Sequence, residues 1–172
     1  MRPLPSLTKG WSFACNDMKF IVDSNVGKIA RWLRLMGFDA VFFDGKDDSE
    51  MIRRALAEER VILTRDTQLM KWGVITSGRL RATLVESDEA ESQIRQVIKE
   101  LNLDSQIKPF TICLECNQPL KEVSQKEVKD RVPPYVYRTQ SQFMECPNCH
   151  RIYWRGTHWQ AMLRKLDKLR RG

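Results

Sequence analysis

Two Cys-x-x-Cys pairs, Cys113-Leu114-Glu115-Cys116 and Cys146-Pro147-Asn148-Cys149, stand 29 residues apart, and four thiolates so arranged can close a tetrahedral zinc shell. The competing chemistries for paired cysteines are a disulfide framework and a redox dithiol. The chain opens without a secretory h-region and holds no apolar run near about 18 residues, so a soluble, cytoplasmic protein with reduced thiols is expected. In that setting Cys113, Cys116, Cys146 and Cys149 read as ligands of a structural Zn2+, and the fifth cysteine, Cys15, as a bystander. Asn117 and His150 directly follow the pairs and tolerate positive φ, which suits the tight knuckle that aims backbone N–H groups at sulfur. His150 reads as a turn residue, because four cysteines already complete the shell.

A second chemistry is carried by acids placed after short apolar runs. Asp23 closes Phe20-Ile21-Val22, Asp66 follows Val61-Ile62-Leu63, Asp88 follows Ala82 to Val85, and Asp48 precedes a helical stretch. Carboxylates gathered at one edge repel one another unless a cation sits among them, and oxygen-only donors favour Mg2+ or Mn2+. Such an ion activates water and steadies the leaving oxygen of a phosphodiester. Each acid also has a structural reading. Asp48, Asp66 and Asp88 sit where helix N-caps belong, and Asp88-Glu89-Ala90-Glu91 has capping-box spacing. Asp23 is the one least explained by capping, and Glu50 is the reserve ligand.

The elements that must position these acids alternate strand and helix. Phe20–Val22 reads as a strand ending at Asp23. Gly27 to Met36 reads as a helix with Ile29, Leu33 and Met36 on one face and Gly37 as its stop. A strand over Ala40–Phe43, a helix over Ser49–Glu59, a strand over Val61–Leu63, a short helix over Thr67–Trp72, a strand over Ala82–Val85 and a long helix over Glu89–Leu101 follow. This order predicts an α/β fold with a mainly parallel sheet, helices on its faces and ligands outside the carboxyl ends of the strands. Residues 1–17 read as an irregular extension, with Met18 a candidate native start. Residues 18–107 read as the α/β domain, and 108–172 as a small β-rich zinc ribbon with a C-terminal basic helix. That helix, Thr157 to Arg171, places Met162, Leu163, Leu166 and Leu169 on one side and Arg164, Lys165, Lys168, Arg170 and Arg171 on the other.

Charge divides along the same boundary. Lys plus Arg against Asp plus Glu is 16 and 16 over residues 1–107, and 13 and 6 over 108–172, so the net +7 lies in the ribbon part. That balance fits a phosphate backbone as partner, or simply a solvated basic face. Lys28, Arg31 and Arg34 recur every three residues along the first helix, and Arg65 adjoins Asp66; they could hold substrate phosphates, or lie on a solvated face and pair with carboxylates. In the ribbon, Tyr135, Tyr137, Phe143, Tyr153, Trp154 and Trp159 interleave with Arg131, Arg138, Arg151 and Arg155, a mixture suited to base stacking; Trp154 and Trp159 are assigned to packing. The only histidines, His150 and His158, lie in the ribbon, which argues against a Ser-His-Asp hydrolase.

Val22 through Asp39, followed by Leu63-Thr64-Arg65-Asp66, resembles the PIN-like RNase family named for the Mut-seven exonuclease C-terminal domain. Arg131-Val132-Pro133-Pro134, and Cys146 through Tyr153-Trp154 to Gly156-Thr157-His158-Trp159, are similar to that family's zinc-binding half, so the resemblance runs over roughly residues 18 to 162. It implies a PIN-like three-layer fold, a divalent-metal site and RNA as substrate. By position Asp23 matches the acid after the first strand, Asp48 the acid opening the second helix, and Asp66 the acid of the Thr-Arg-Asp motif; Asp88 is the fourth. The chain departs from the family pattern at Asn25 and Val26, where a bulkier apolar pair is commoner, and at Asn117 and His150, often Gly. The expected function is a metal-dependent ribonuclease whose ribbon aids RNA binding, with no membrane partner and with oligomer and protein partners open. The alternative is a non-catalytic RNA-binding or protein-interaction module.

Overall fold

A computed structural model describes residues 18–171; the extension read over residues 1–17, with Cys15, lies outside the described residues. The first part runs β1 (Lys19–Asp23), α1 (Lys28–Leu35), β2 (Asp39–Phe43), α2 (Asp48–Ala57), β3 (Arg60–Thr64), α3 (Gly73–Thr76), β4 (Ala82–Leu84) and α4 (Ala90–Glu100). Its four strands lie in the order β2-β1-β3-β4, every pair parallel. Side chains alternate across a strand, so the apolar strands feed two cores. Phe20, Val22, Val61 and Leu63 pack on one face with Ile29 and Leu33 of α1 and Ile94 and Val97 of α4. Ile21 and Ile62 pack on the other with Met51, Ile52 and Ala55 of α2. The result is helix, sheet, helix. Leu63 is fully buried, and its truncation to Ala would cost about 2–5 kcal/mol.

Gly37 ends α1 at φ +88°, where a Cβ would lie 2.2 Å from the Lys108 carbonyl oxygen. The segment entering the ribbon therefore seats directly on the end of α1, with Lys108 N–H donating to Met36 O at 2.8 Å. The short helix expected over Thr67–Trp72 is divided. A 3-10 turn spans Leu69–Lys71, Trp72 turns extended at ψ 136°, and α3 begins only at Gly73. An extended residue cannot carry the helical bond ladder through, so the two turns stay separate.

The second part comprises β5 (Lys121–Val123), α5 (Pro134–Thr139), β6 (Phe143–Glu145), β7 (Ile152–Trp154) and α6 (Thr157–Arg171). The three short strands form an antiparallel sheet, β5-β6-β7. Helix α6 belongs to both parts. Trp159 and Leu163 pack with Leu35, Phe110, Leu120, Met144 and Tyr153 around the cysteines. Leu166 and Leu169, one and two turns later, enter the core under α1 and α4. Among the described residues no helix is long and apolar enough to cross a membrane.

Candidate active site

In the order β2-β1-β3-β4 the chain turns back at β1, so the crevice outside the carboxyl ends of β1 and β3 is the topological switch point. Asp23 is the last residue of β1, and Asp66 lies two residues past the end of β3. Asp23 Oδ2 accepts from Thr64 Oγ1 at 2.6 Å and from Asn25 Nδ2 at 2.7 Å, and Ser24 Oγ donates to Oδ1 at 3.3 Å. The Thr64 hydroxyl in turn accepts from the Asp66 N–H at 2.9 Å, and Asn25 Oδ1 accepts from the Arg65 N–H at 3.1 Å. One hydroxyl and one amide thus fasten the two strand ends together and fix the orientation of Asp23.

Capping explains the remaining acids unequally. Asp66 Oδ1 accepts from Gln68 N at 2.7 Å and Leu69 N at 3.3 Å, so one of its oxygens caps the turn, as its position suggested. At α2 the cap is Asp47, whose Oδ1 accepts from Ser49 N at 2.9 Å. That leaves Asp48 one residue inside the helix with no hydrogen-bond donor among the described residues. Its carboxyl is pushed above the ordinary 3.8, first by partial burial and then by the charges of Asp66, Asp23 and Asp47. Asp23, Asp48 and Asp66 therefore share one electrostatic neighbourhood built from three segments. The capping box expected at Asp88 does not form: Glu89 occupies the cap position of α4 with no side-chain bond. Asp88 is 85% exposed and ion-pairs with Arg65. That pair is nearly open to water and adds little stability.

The cations also separate. Lys28, in the first turn of α1 beside the aspartate edge, is exposed and has no carboxylate partner among the described residues. Arg31 and Arg34, further down α1, face the ribbon: Arg31 pairs with Glu115, while Arg34 Nη1 donates to Leu114 O at 2.9 Å and Glu115 O at 3.0 Å. On the neighbouring strand Asn117 Oδ1 accepts from Ala40 N at 2.8 Å and its Nδ2 donates to Asp39, whose carboxylate is gripped by buried Arg60 at 2.7 and 3.0 Å. These contacts lie at the amino ends of β2 and β3, so the ribbon docks about 13 Å along β1 from Asp23.

Within the ribbon the four cysteine sulfurs lie within 4.8 Å of one another, the only such group of His, Cys, Asp or Glu ligand atoms among the described residues. Both turns close with matching bonds, Asn117 N to Cys113 O and His150 N to Cys146 O, each 3.0 Å. Asn117 and His150 both take φ 57°, as their knuckle positions require. His150 turns away from sulfur, with Nδ1 3.0 Å from Glu145. Burial pushes the Cys113 thiol up, but hydrogen bonds from the Tyr153 hydroxyl and the Cys116 and Glu115 N–H groups outweigh it and bring it to about 7. Cys149, despite a backbone bond from Arg151, is pushed up to about 12 by desolvation and its neighbouring sulfurs. Four crowded thiols that cannot all ionise alone, with N–H groups aimed at them, are a donor set suited to a thiophilic cation. Phe143, Tyr153 and Trp159 are buried in the ribbon, whereas Tyr135 is 69% exposed beside Arg138.

Thr64 and Asn25 are the site residues that strand and helix patterning alone does not single out. The model of the Mut7-C RNAse domain matches residues 18–166, spanning the aspartate edge, both knuckles and most of α6. No curated protein and no solved structure matches at a significant level. The match covers nearly the whole of what the structure describes, and the chain belongs to the Mut7-C RNAse domain family.

Proposed function

We propose that the protein is a divalent-metal-dependent ribonuclease. Asp23, Asp48 and Asp66 would hold Mg2+ or Mn2+, and Cys113, Cys116, Cys146 and Cys149 would hold a structural Zn2+. What supports this reading is the placement of Asp23 at the end of β1 and Asp66 in the turn after β3, bridged by the Thr64 hydroxyl, with the Asp48 carboxyl raised in part by their charges, in a chain of an RNase domain family. Their oxygens are the hard donors such ions take. A bound ion there supplies the acidity that makes water a nucleophile and the charge that steadies the departing oxygen. The chain's own contribution is positional. Thr64 and Asn25 hold Asp23, the turn bonds hold Asp66, and Lys28 offers an exposed ammonium to a substrate phosphate. Arg65 is kept beside the crevice by Asp88, the outermost of the four acids, and reaches a phosphate once that exposed pair opens. Arg31 and Arg34 act through the ribbon, which adds Tyr135 and Arg138 as a stacking and backbone contact for RNA.

A second reading, a non-catalytic RNA-binding module, is favoured by one observation: Asp66 spends Oδ1 on capping. End-labelled single-stranded RNA with Mg2+ or Mn2+ separates the two, using zinc-loaded wild type, Asp23→Asn and Asp66→Asn of equal fold. The ribonuclease reading expects metal-dependent products that both variants lose while retaining RNA affinity. RNA bound by the wild type but left uncut with either metal transfers the function to the binding module.

A further inference from the structure

Between α4 and α6, apart from the aspartate edge and the cysteines, lies a groove of about 350 Å³ lined by Glu91, Arg95, Arg164, Lys165, Lys168 and Leu169. Four cations face one acid, and the acid is already taken: Lys165 Nζ lies 2.7 Å from Glu91 Oε1 and 5.5 Å from the centre of the Trp32 ring. Arg95, Arg164 and Lys168 have no carboxylate partner among the described residues. The Glu91 carboxyl is held below its ordinary value first by Lys165 and then also by Arg95 and Lys168, while Arg164 lines the same groove. The groove therefore has more positive charge than its own acid can neutralise.

We propose that this groove is a second binding track for the sugar-phosphate backbone of RNA; the choice of RNA rests on the ribonuclease reading. Arg164 and Lys168 are four residues apart on α6, about 6 Å along the axis, and Arg95 lines the same groove from α4, so the cations are spread over the groove rather than gathered at one atom. Guanidinium forks and an ammonium so spread suit successive phosphate oxygens. Among the described residues no aromatic side chain lines the groove, and nearby Trp32 already carries Lys165 over its ring, so the contact would read phosphates rather than bases and be indifferent to sequence. The groove also begins near the crevice: Asp66 adjoins Arg65, Arg65 pairs with Asp88, and Glu91 lies in the first turn of the helix that follows. A strand leaving the aspartate edge along Arg65 meets the groove next.

The test measures binding of a labelled single-stranded RNA of about 20 nucleotides, longer than one module covers, to the zinc-loaded full chain without Mg2+ or Mn2+. In parallel, cleavage of an RNA of about four nucleotides is measured with Mg2+. The triple variant Arg95→Ala/Arg164→Ala/Lys168→Ala is expected to bind the long RNA at least about tenfold more weakly, with a log–log salt slope shallower by about 2, and to cleave the short RNA as the wild type does. Glu91→Gln, which frees Lys165, is expected to bind the long RNA more tightly with a steeper slope, an effect that misfolding cannot imitate. An unchanged salt slope in the triple variant, or equal loss on long and short RNA, overturns the track. Should the triple variant fail to fold, an unchanged slope in Glu91→Gln overturns it instead. If, when Mg2+ is then added to both RNAs, the wild type cleaves neither while the variants shift binding as stated, the track stands and the ribonuclease reading falls.

Discussion

At Asp48 partial burial and then repulsion, rather than hydrogen bonding, set the environment: Asp47 takes the cap, and the carboxylates of Asp66 and Asp23 act on a side chain with no donor among the described residues. A cation among the three would turn that repulsion into attraction, so the residue has opposite effects with and without metal. Asp48→Asn is therefore expected to raise the Tm of the protein at neutral pH without Mg2+ by on the order of 2 °C, and to remove most of the Tm gain that Mg2+ gives the wild type. A variant that melts lower without Mg2+, or keeps the full Mg2+ gain, would show that Asp48 is an ordinary first-turn acid. The aspartates themselves were legible because each follows an apolar run or opens a helix. Thr64 and Asn25 were not. A Thr ending a β run reads as strand propensity, and its bond to Asp23 crosses 41 residues, a distance that only the β1–β3 register closes.

The secondary elements lie close to where hydrophobic period and Gly37 placed them, because a buried parallel sheet demands continuous apolar runs and each run here is bounded by a polar turn. What period could not supply is the partner of each polar face. Arg31 and Arg34 have the spacing of a solvated or phosphate-binding helix face, yet they meet the first knuckle, whose carbonyls have no sequence signature. Asn117 is the reciprocal contact. Its positive φ closes the knuckle while its amide bonds Ala40 N and Asp39 on the edge strand. Asn117→Ala loses both bonds and strains the backbone, and is expected to cost about 1–3 kcal/mol, or roughly 3–8 °C in Tm for a chain of this size. Asn117→Gly, which loses the bonds but tolerates the φ, is expected to fall between Ala and the wild type. Thermal melts of the zinc-loaded proteins decide this, and equal stability of all three would remove Asn117 from the docking contact.

For the molecule as a whole, the question is whether the ribbon rides on the α/β part or helps to hold it. The cysteines and the charge step near residue 107 suggest, from sequence, the start of a new module, but α6 crosses back over that line. Trp159 and Leu163 are fixed by the ribbon core, while Leu166 and Leu169 fill space beside Ile29, Ile94 and Val97. The ribbon sheet has strands of only three residues each, and such a small sheet around four cysteines is expected to depend on a bound metal. Removing the metal should therefore free the first half of α6 and weaken the seating of the second. Calorimetry of the full chain is expected to show one cooperative transition when zinc-loaded. After chelation the ribbon signal should vanish, and the transition of the α/β part should move down by several degrees, since loosening Leu166 and Leu169 costs on the order of 2 kcal/mol or more. A fragment of residues 18–107 lacks α6 altogether and should melt lower still. An α/β transition indifferent to chelation would mean that Leu166 and Leu169 hold their places without the ribbon.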